Sequence, residues 1–490
     1  KLMNDAIAAE EEEADDEAND QADADALLTN HVGQLKTIKL NVTTGFMEEK
    51  AAAVHALTSF IKNGGFGFLQ YMDECWERLT YLWEYPHCLV KMSVSSCFHE
   101  FFTLIVNHAL DTEQNAVRID ANDEKNTNKK YPYTKGIDIE YNSNVSNWIS
   151  TIFPLYIDAI RDEEDRDALN VMLDFFIDEL KVLGPKSIMP YMEQLMASIN
   201  LYLKEECQCQ NSSDPQNTDT KDIGTKHQWI SDTVADLIAT LAELFGAKFE
   251  AIFDQIFANL LLFGRESRDA QDQAMVVGCI ADCCSRLHAL NINTDCVLMS
   301  RFSDAIYKIS LRIAQAQDVN MRQNALYCMG AMFTCCDTQS NMKYSNDVLQ
   351  CIKTYIEFPK NGDRPQKLVR DNAVSALGKV LISQPKELPT KDLLPVFLNS
   401  LPLTCDFTEN QYVYQIVAAF IMRYPSLVQA HIEQSLTLLA LALSDENVPQ
   451  QTTQQIIDVL KKICSDQNIQ GIVQNKLPQN AKENIFKALN

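Results

Sequence analysis

Arg322-Gln323-Asn324-Ala325-Leu326-Tyr327-Cys328-Met329-Gly330 and Arg370-Asp371-Asn372-Ala373-Val374-Ser375-Ala376-Leu377-Gly378 both read R-x-N-A-(apolar)-x-x-(apolar)-G, 48 residues apart. Each leads into further apolar helix, and each follows a polar turn, at Gln317-Asp318 and at Lys360-Asn361-Gly362-Asp363. Recurrence at a fixed spacing is the signature of a stacked array whose units bury their apolar faces only on their neighbours. The small residues Ala325, Ala373, Gly330 and Gly378 let neighbouring helices approach closely, as stacked hairpins require. The predicted fold is an all-α solenoid of antiparallel helix pairs.

Working outward in that register, apolar residues recur at three and four from about Met47 onward. The spacing predicts a lone inner helix at 47–63, then pairs near 66–109, 144–183, 187–246, 248–289, 296–336, 344–384, 391–424 and 426–464, with a short closing pair to 490. That makes about nine hairpins of the HEAT type over 31–490, coiling as a superhelix. Polar stretches near 111–143 and 205–225 are predicted as insertions at the surface. Residues 10–25, EEEEADDEANDQADAD, hold ten acids and no base, so the first 30 residues are expected to form a disordered acidic loop.

Composition agrees. A chain of 490 residues exceeds one globular core, and fifteen Gly with fifteen Pro are few for a fold of many strands and tight turns. Net charge is −25, so removing the ten acids of the loop still leaves about −15 on the rest. That balance disfavours nucleic acid and anionic membrane as partners and favours a basic protein. Fifteen Cys include Cys283-Cys284 and Cys335-Cys336 within helical stretches, where a disulfide framework is excluded by geometry. No signal peptide and no uncharged apolar run of about eighteen residues is evident. A soluble protein of the cytoplasm or nucleus is expected, and a chain beginning at Lys1 is expected to be part of something longer.

Chemistry has little support. Asn63-Gly64-Gly65-Phe66-Gly67 lacks the Lys-Ser/Thr of a phosphate loop. Cys207, Cys209 and His227 lack the further pair that would complete a metal site. No His lies in a nucleophile or metalloprotease motif. A non-enzymatic binding protein without cofactor or metal is predicted.

The order of motifs resembles the importin-β (karyopherin) superfamily of nuclear transport receptors. The resemblance rests on Thr43-Thr44-Gly45-Phe46-Met47-Glu48-Glu49-Lys50-Ala51-Ala52 after an acidic stretch, Pro86-His87 before a helix, Arg370-Asp371-Asn372-Ala373, and Leu401-Pro402-Leu403 followed by Asp406 and Glu409-Asn410. It covers essentially the whole chain and matches the C-terminal half of such a receptor. It implies a monomeric receptor that shuttles between cytoplasm and nucleus and carries core histones and ribosomal proteins through their lysine-rich segments. It further implies nucleoporin contacts and release by Ran-GTP at N-terminal repeats of the receptor, which are expected to lie outside this chain.

A lysine ammonium is a compact charge held best by carboxylates and polar acceptors with an aromatic face against its stem. Asn also satisfies the amides of an extended peptide. Successive inner helices offer Asp282, then Asn324 and Tyr327, then Asn372, then Glu409 and Asn410. At roughly 10 Å between helices these would line about 30 Å of groove, enough for eight to ten extended residues. The resemblance implies that Asp282, Tyr327, Asn372 and Glu409 form a lysine pocket, with Asn372 and Glu409 expected to be exposed. Alternative structural readings stand beside these: the Asn residues bridging helices, Tyr327 packing, Glu409 favoured by a helix start, and Arg322 and Arg370 tying turns through Asp318 and Asp363. A rigid scaffold organising a multiprotein complex is the competing function.

Overall fold

Aspartates open many of the helices because a carboxylate accepts the amides left unpaired at a helix start. Asp165, Asp318, Asp337 and Asp363 accept from the backbone N–H three residues on, Asn142 does the same for Val145, and each sits in extended backbone just before its helix. In the computed structural model, which describes residues 32–85, 87–117, 132–133, 139–211, 220–289 and 297–489, the described residues form helices and connecting turns without a strand. The acidic stretch at 10–25 lies outside the described residues. The chain divides into two units, Lys1–Leu237 and Ile238–Asn490.

In the first unit the longer helices are α1 (Val32–Gly64), α2 (Met72–Trp83), α3 (Cys88–Val117), α4 (Ser143–Asp162), α5 (Arg166–Leu183) and α6 (Met192–Leu203), and α7 (Thr220–Phe245) begins here. α1 packs on α3 and α3 on α5, while α4 packs on α6, so alternate helices form two rows. α3 runs to Val117 and α7 starts at Thr220, so helix enters both stretches that the sequence predicts as insertions. Cys88–Asp111 is long and apolar enough to cross a membrane, but Val94, Phe98, Phe101 and Phe102 on it are buried in this unit.

An aromatic core joins the rows. Trp148 meets Trp76 at 5.4 Å and Phe98 at 6.0 Å, and Tyr156 meets Trp83 at 5.7 Å. Trp148 donates through Nε1 to Glu179 Oε2 at 2.8 Å, which places a fully buried carboxyl among rings. Burial raises the Glu179 pKa to about 8. α5 stops at Gly184, whose φ of 81° favours glycine; a Cβ there would also lie 2.5 Å from the Tyr133 ring. Pro185 then opens a new short helix.

The second unit holds α8 (Phe249–Leu260), α9 (Ala270–Ala289), α10 (Ser303–Ile313), α11 (Val319–Cys335), α12 (Thr338–Ile356), α13 (Arg364–Ser383), α14 (Thr390–Ser400), α15 (Asn410–Arg423), α16 (Ile432–Ala442), α17 (Gln450–Ile463), α18 (Gln467–Asn475) and α19 (Gln479–Leu489). α9, α11, α13, α15 and α17 stack in sequence, with α10, α12 and α14 outside them. The small residues act as expected. A Cβ at Gly330 would lie 2.8 Å from the Ala376 Cα and 3.3 Å from the Lys379 Cδ, and one at Gly378 would strike Phe397 at 2.6 Å. Every residue of α13 from Val369 to Leu381 is buried, so this helix is enclosed on all sides.

Candidate functional site

Four consecutive inner helices of the second unit bring polar side chains together. On α11, Tyr327 directs its hydroxyl at α9, 3.0 Å from Asp282 Oδ1 and 2.8 Å from Ser285 Oγ. One helix further, Lys379 of α13 places its Nζ 4.6 Å from the Tyr327 ring centre and 4.1 Å from that of Tyr412 on α15. The same ammonium donates to Glu409 Oε2 at 2.8 Å, and Ser375 Oγ donates to that oxygen as well. A carboxylate, two aromatic faces and flanking hydroxyls therefore enclose one ammonium group. Burial, then the neighbouring Glu409 charge, raises the Tyr412 phenol pKa; burial does the same at Tyr327, so both rings stay neutral.

Behind this cage lies a second polar layer. Asn372 Nδ2 donates to Asp406 Oδ2 at 2.6 Å and to Leu368 O at 3.1 Å, and Gln323 Nε2 reaches Asp406 Oδ2 at 2.9 Å. Asp371, fully buried, accepts the backbone N–H groups of Thr404, Cys405 and Asp406 at 2.7, 2.6 and 3.1 Å. The chain between α14 and α15 is thereby tied to α13, and it delivers Glu409 to the cage.

Several expectations are corrected by this geometry. Asn372, Glu409 and Asn410 are not exposed on a groove; they are 3%, 5% and 1% exposed. Each is held by the chain itself: Asn372 by Asp406, Glu409 by Lys379, and Asn410 by the Asn447 carbonyl at 3.3 Å. A buried carboxylate needs a counter-charge, and Lys379 supplies it. Asp282, Asn324 and Tyr327 are half-buried, so part of each reaches the surface. Asn324 lies apart from the cage and donates to Ala274 O at 3.2 Å, a bridge between α11 and α9. Arg322 ties its turn through Ala316 O and Gln317 Oε1, and Arg370 through Ser400 O, because Asp318 and Asp363 are spent on helix capping.

Lys379, Tyr412, Ser375 and Asp406 escape the reading of the repeat. One signal was available: Lys379 stands in Ala376-Leu377-Gly378-Lys379-Val380-Leu381, a lone base inside an apolar run and seven residues from Asn372, hence on the same helical face. Such a base demands a carboxylate partner. Elsewhere, Cys207 and Cys209 are buried, and burial pushes their thiols up to about 12 and about 11, which opposes metal ligation; His227 lies outside what is described. Among the described residues no group of three or more His, Cys, Asp or Glu is placed to hold a metal ion.

Stacked antiparallel helix pairs with a polar seam along the inner row define a HEAT-type binding array. No family model matches the chain. Human Importin-4 is 21% identical over 425 residues, which are 86% of this chain and 36% of that protein. The probable importin subunit beta-4 of Schizosaccharomyces pombe is 21% identical over 239 residues, 48% of this chain and 21% of that one. Among solved structures, the karyopherin Kap121p bound to the SUMO protease Ulp1p superposes with a TM-score of 0.63 at 14% identity, covering 91% of this chain and 38% of its own. Kap121p bound to RanGTP gives 0.60 at 12% identity, covering 91% and 37%. In sequence the chain is similar to importins, and in fold to the karyopherin Kap121p. It spans little more than a third of the longer relatives it matches.

Proposed function

We propose that this chain is the cargo-holding part of a nuclear import receptor that takes basic, lysine-rich segments, those of core histones and ribosomal proteins among them, in the cytoplasm and delivers them to the nucleus. The observation that carries the reading is the ammonium cage of Tyr327, Tyr412 and Glu409, with Asp282 on the Tyr327 hydroxyl, built across inner helices of a chain with net charge −25. The importin relatives supply the transport context. Asp282, Asn324 and Tyr327, being half-buried, would meet the incoming segment; Asn372, Glu409 and Asn410 would hold the layer beneath it. Nothing in this role calls for catalysis or a cofactor. Ran-GTP and nucleoporins would be partners of the longer receptor, as a Kap121p complex with RanGTP suggests by analogy.

Asp282→Asn tests the reading with little cost to folding, because the amide oxygen still accepts the Tyr327 hydroxyl. Calorimetric titration with a lysine-rich tail peptide should show affinity weakened about three- to tenfold, the scale of one partly screened charge. Unchanged affinity would remove this face from cargo recognition. Replacing the peptide's key Lys by Arg should also weaken binding, since the planar guanidinium does not fit a site shaped for a compact ammonium.

A further inference from the structure

The cage poses a question of its own, because the ligand chemistry the sequence predicts for a partner's lysine is satisfied here by Lys379. Three features separate this from an ordinary buried ion pair. The Lys379 stem crosses Gly330, where a Cβ would lie 3.3 Å from its Cδ, so α11 leaves a channel for it. The ammonium is enclosed by groups of other helices: Tyr327 on α11, Tyr412 at the start of α15, and Glu409 just before it. Tyr327 and Tyr412 are both half-buried, so the wall of the cage forms part of the molecular surface, whereas Lys379 itself is 4% exposed.

From these we infer that Lys379 is a built-in occupant of a lysine-ammonium site, exchangeable for the ammonium of an incoming basic segment. Emptying the cage would strand the buried Glu409 carboxylate, a severe penalty. Exchanging one primary ammonium for another strands nothing. Glu409 and both rings keep a cation, and the released Lys379 extends its long stem toward water. The balance is then set by what else the segment binds, so the cage rejects isolated amines and admits a lysine delivered by a longer, correctly placed chain. Exchange with a partner's lysine rests on the function proposed above; the ammonium chemistry of the cage does not.

Two experiments separate these claims. In Lys379→Ala the missing atoms are those of n-propylammonium. Thermal unfolding of the variant should show a midpoint that climbs with the logarithm of n-propylammonium concentration, as for any ligand of the folded state. Neither n-propanol on the variant nor the amine on the wild type should match that rise. If the variant is unfolded alone, the amine should restore folding and propanol should not. Equal responses to amine, propanol and sodium chloride would overturn the cage as an ammonium site.

The second experiment uses the unaltered chain. Under an acetylating reagent read by mass spectrometry, Lys379 should react about tenfold or more slowly than exposed Lys353 and Lys391. Saturation with a lysine-rich peptide should raise the Lys379 rate. A peptide that binds yet leaves that rate unchanged overturns exchange while the amine result stands. A peptide that does not bind overturns the cargo reading and exchange together, leaving the amine experiment to decide the cage.

Discussion

Glu179 shows how one side chain couples this fold to pH. Its carboxyl is fully buried, takes the Trp148 indole N–H at 2.8 Å and holds its proton up to about 8, against 4.5 for an exposed glutamate. The sign follows from which state binds the proton more tightly. Below about pH 4.5 both folded and unfolded chains carry it, and the stability contributed by the neutral group is fully present. Between about 4.5 and 8 only the unfolded chain ionises, so that contribution falls as pH rises through the window. Glu179→Gln keeps an acceptor for Trp148 and removes the titration. Its melting temperature should gain on the wild type from pH 5 to pH 8, by the equivalent of a few kcal/mol. A difference between the two proteins that does not change with pH would contradict the assignment.

The same scale shows what the sequence discloses. The R-x-N-A repeats identify the inner helices and the close-packing positions Gly330 and Gly378 correctly, because a helical period dictates which residues share a face. They do not disclose whether that face is later covered. Asn372 and Glu409 are expected at the surface, yet the connection after α14 lays Asp406 on Asn372 and seats Glu409 against Lys379 of α13. That covering is a contact between residues 30 and 34 apart in sequence, and local periodicity is silent about it.

Among the elements, the connection between α14 and α15, irregular until its closing 3-10 turn at Phe407–Glu409, carries part of the candidate site. Its amides at Thr404, Cys405 and Asp406 converge on the Asp371 carboxylate, so the polar side of α13 substitutes for the hydrogen bonds a regular element would provide. Lys360 reinforces the connection by donating to Asn399 O at 2.9 Å. Asp371→Ala would leave the amides of Thr404, Cys405 and Asp406 without their carboxylate and Arg370 without its counter-charge, and should cost about 3–5 kcal/mol in urea unfolding. Asp371→Asn should cost less, since one amide oxygen remains. Equal, small losses in both variants would show that the segment holds its course without α13. The wording Leu401-Pro402-Leu403 and Asp406 was visible in the sequence as a motif, but its role as the bracket that presents Glu409 was not.

For the molecule as a whole, charge decides which partners are admitted. Net −25 over 490 residues disfavours polyanions and favours basic segments from beyond contact distance; in the function proposed above, the cage would then sort compact ammonium groups from other cations at short range. An array of this kind needs no catalytic centre to be selective. The scaffold alternative makes a different demand, namely apolar anchoring that is indifferent to ionic strength. Titration of the chain with a lysine-rich tail peptide at ~50 mM and ~200 mM salt puts the two against each other. Recognition through an acidic surface predicts a loss of about tenfold or more in affinity between those conditions; binding of equal strength at both would contradict it.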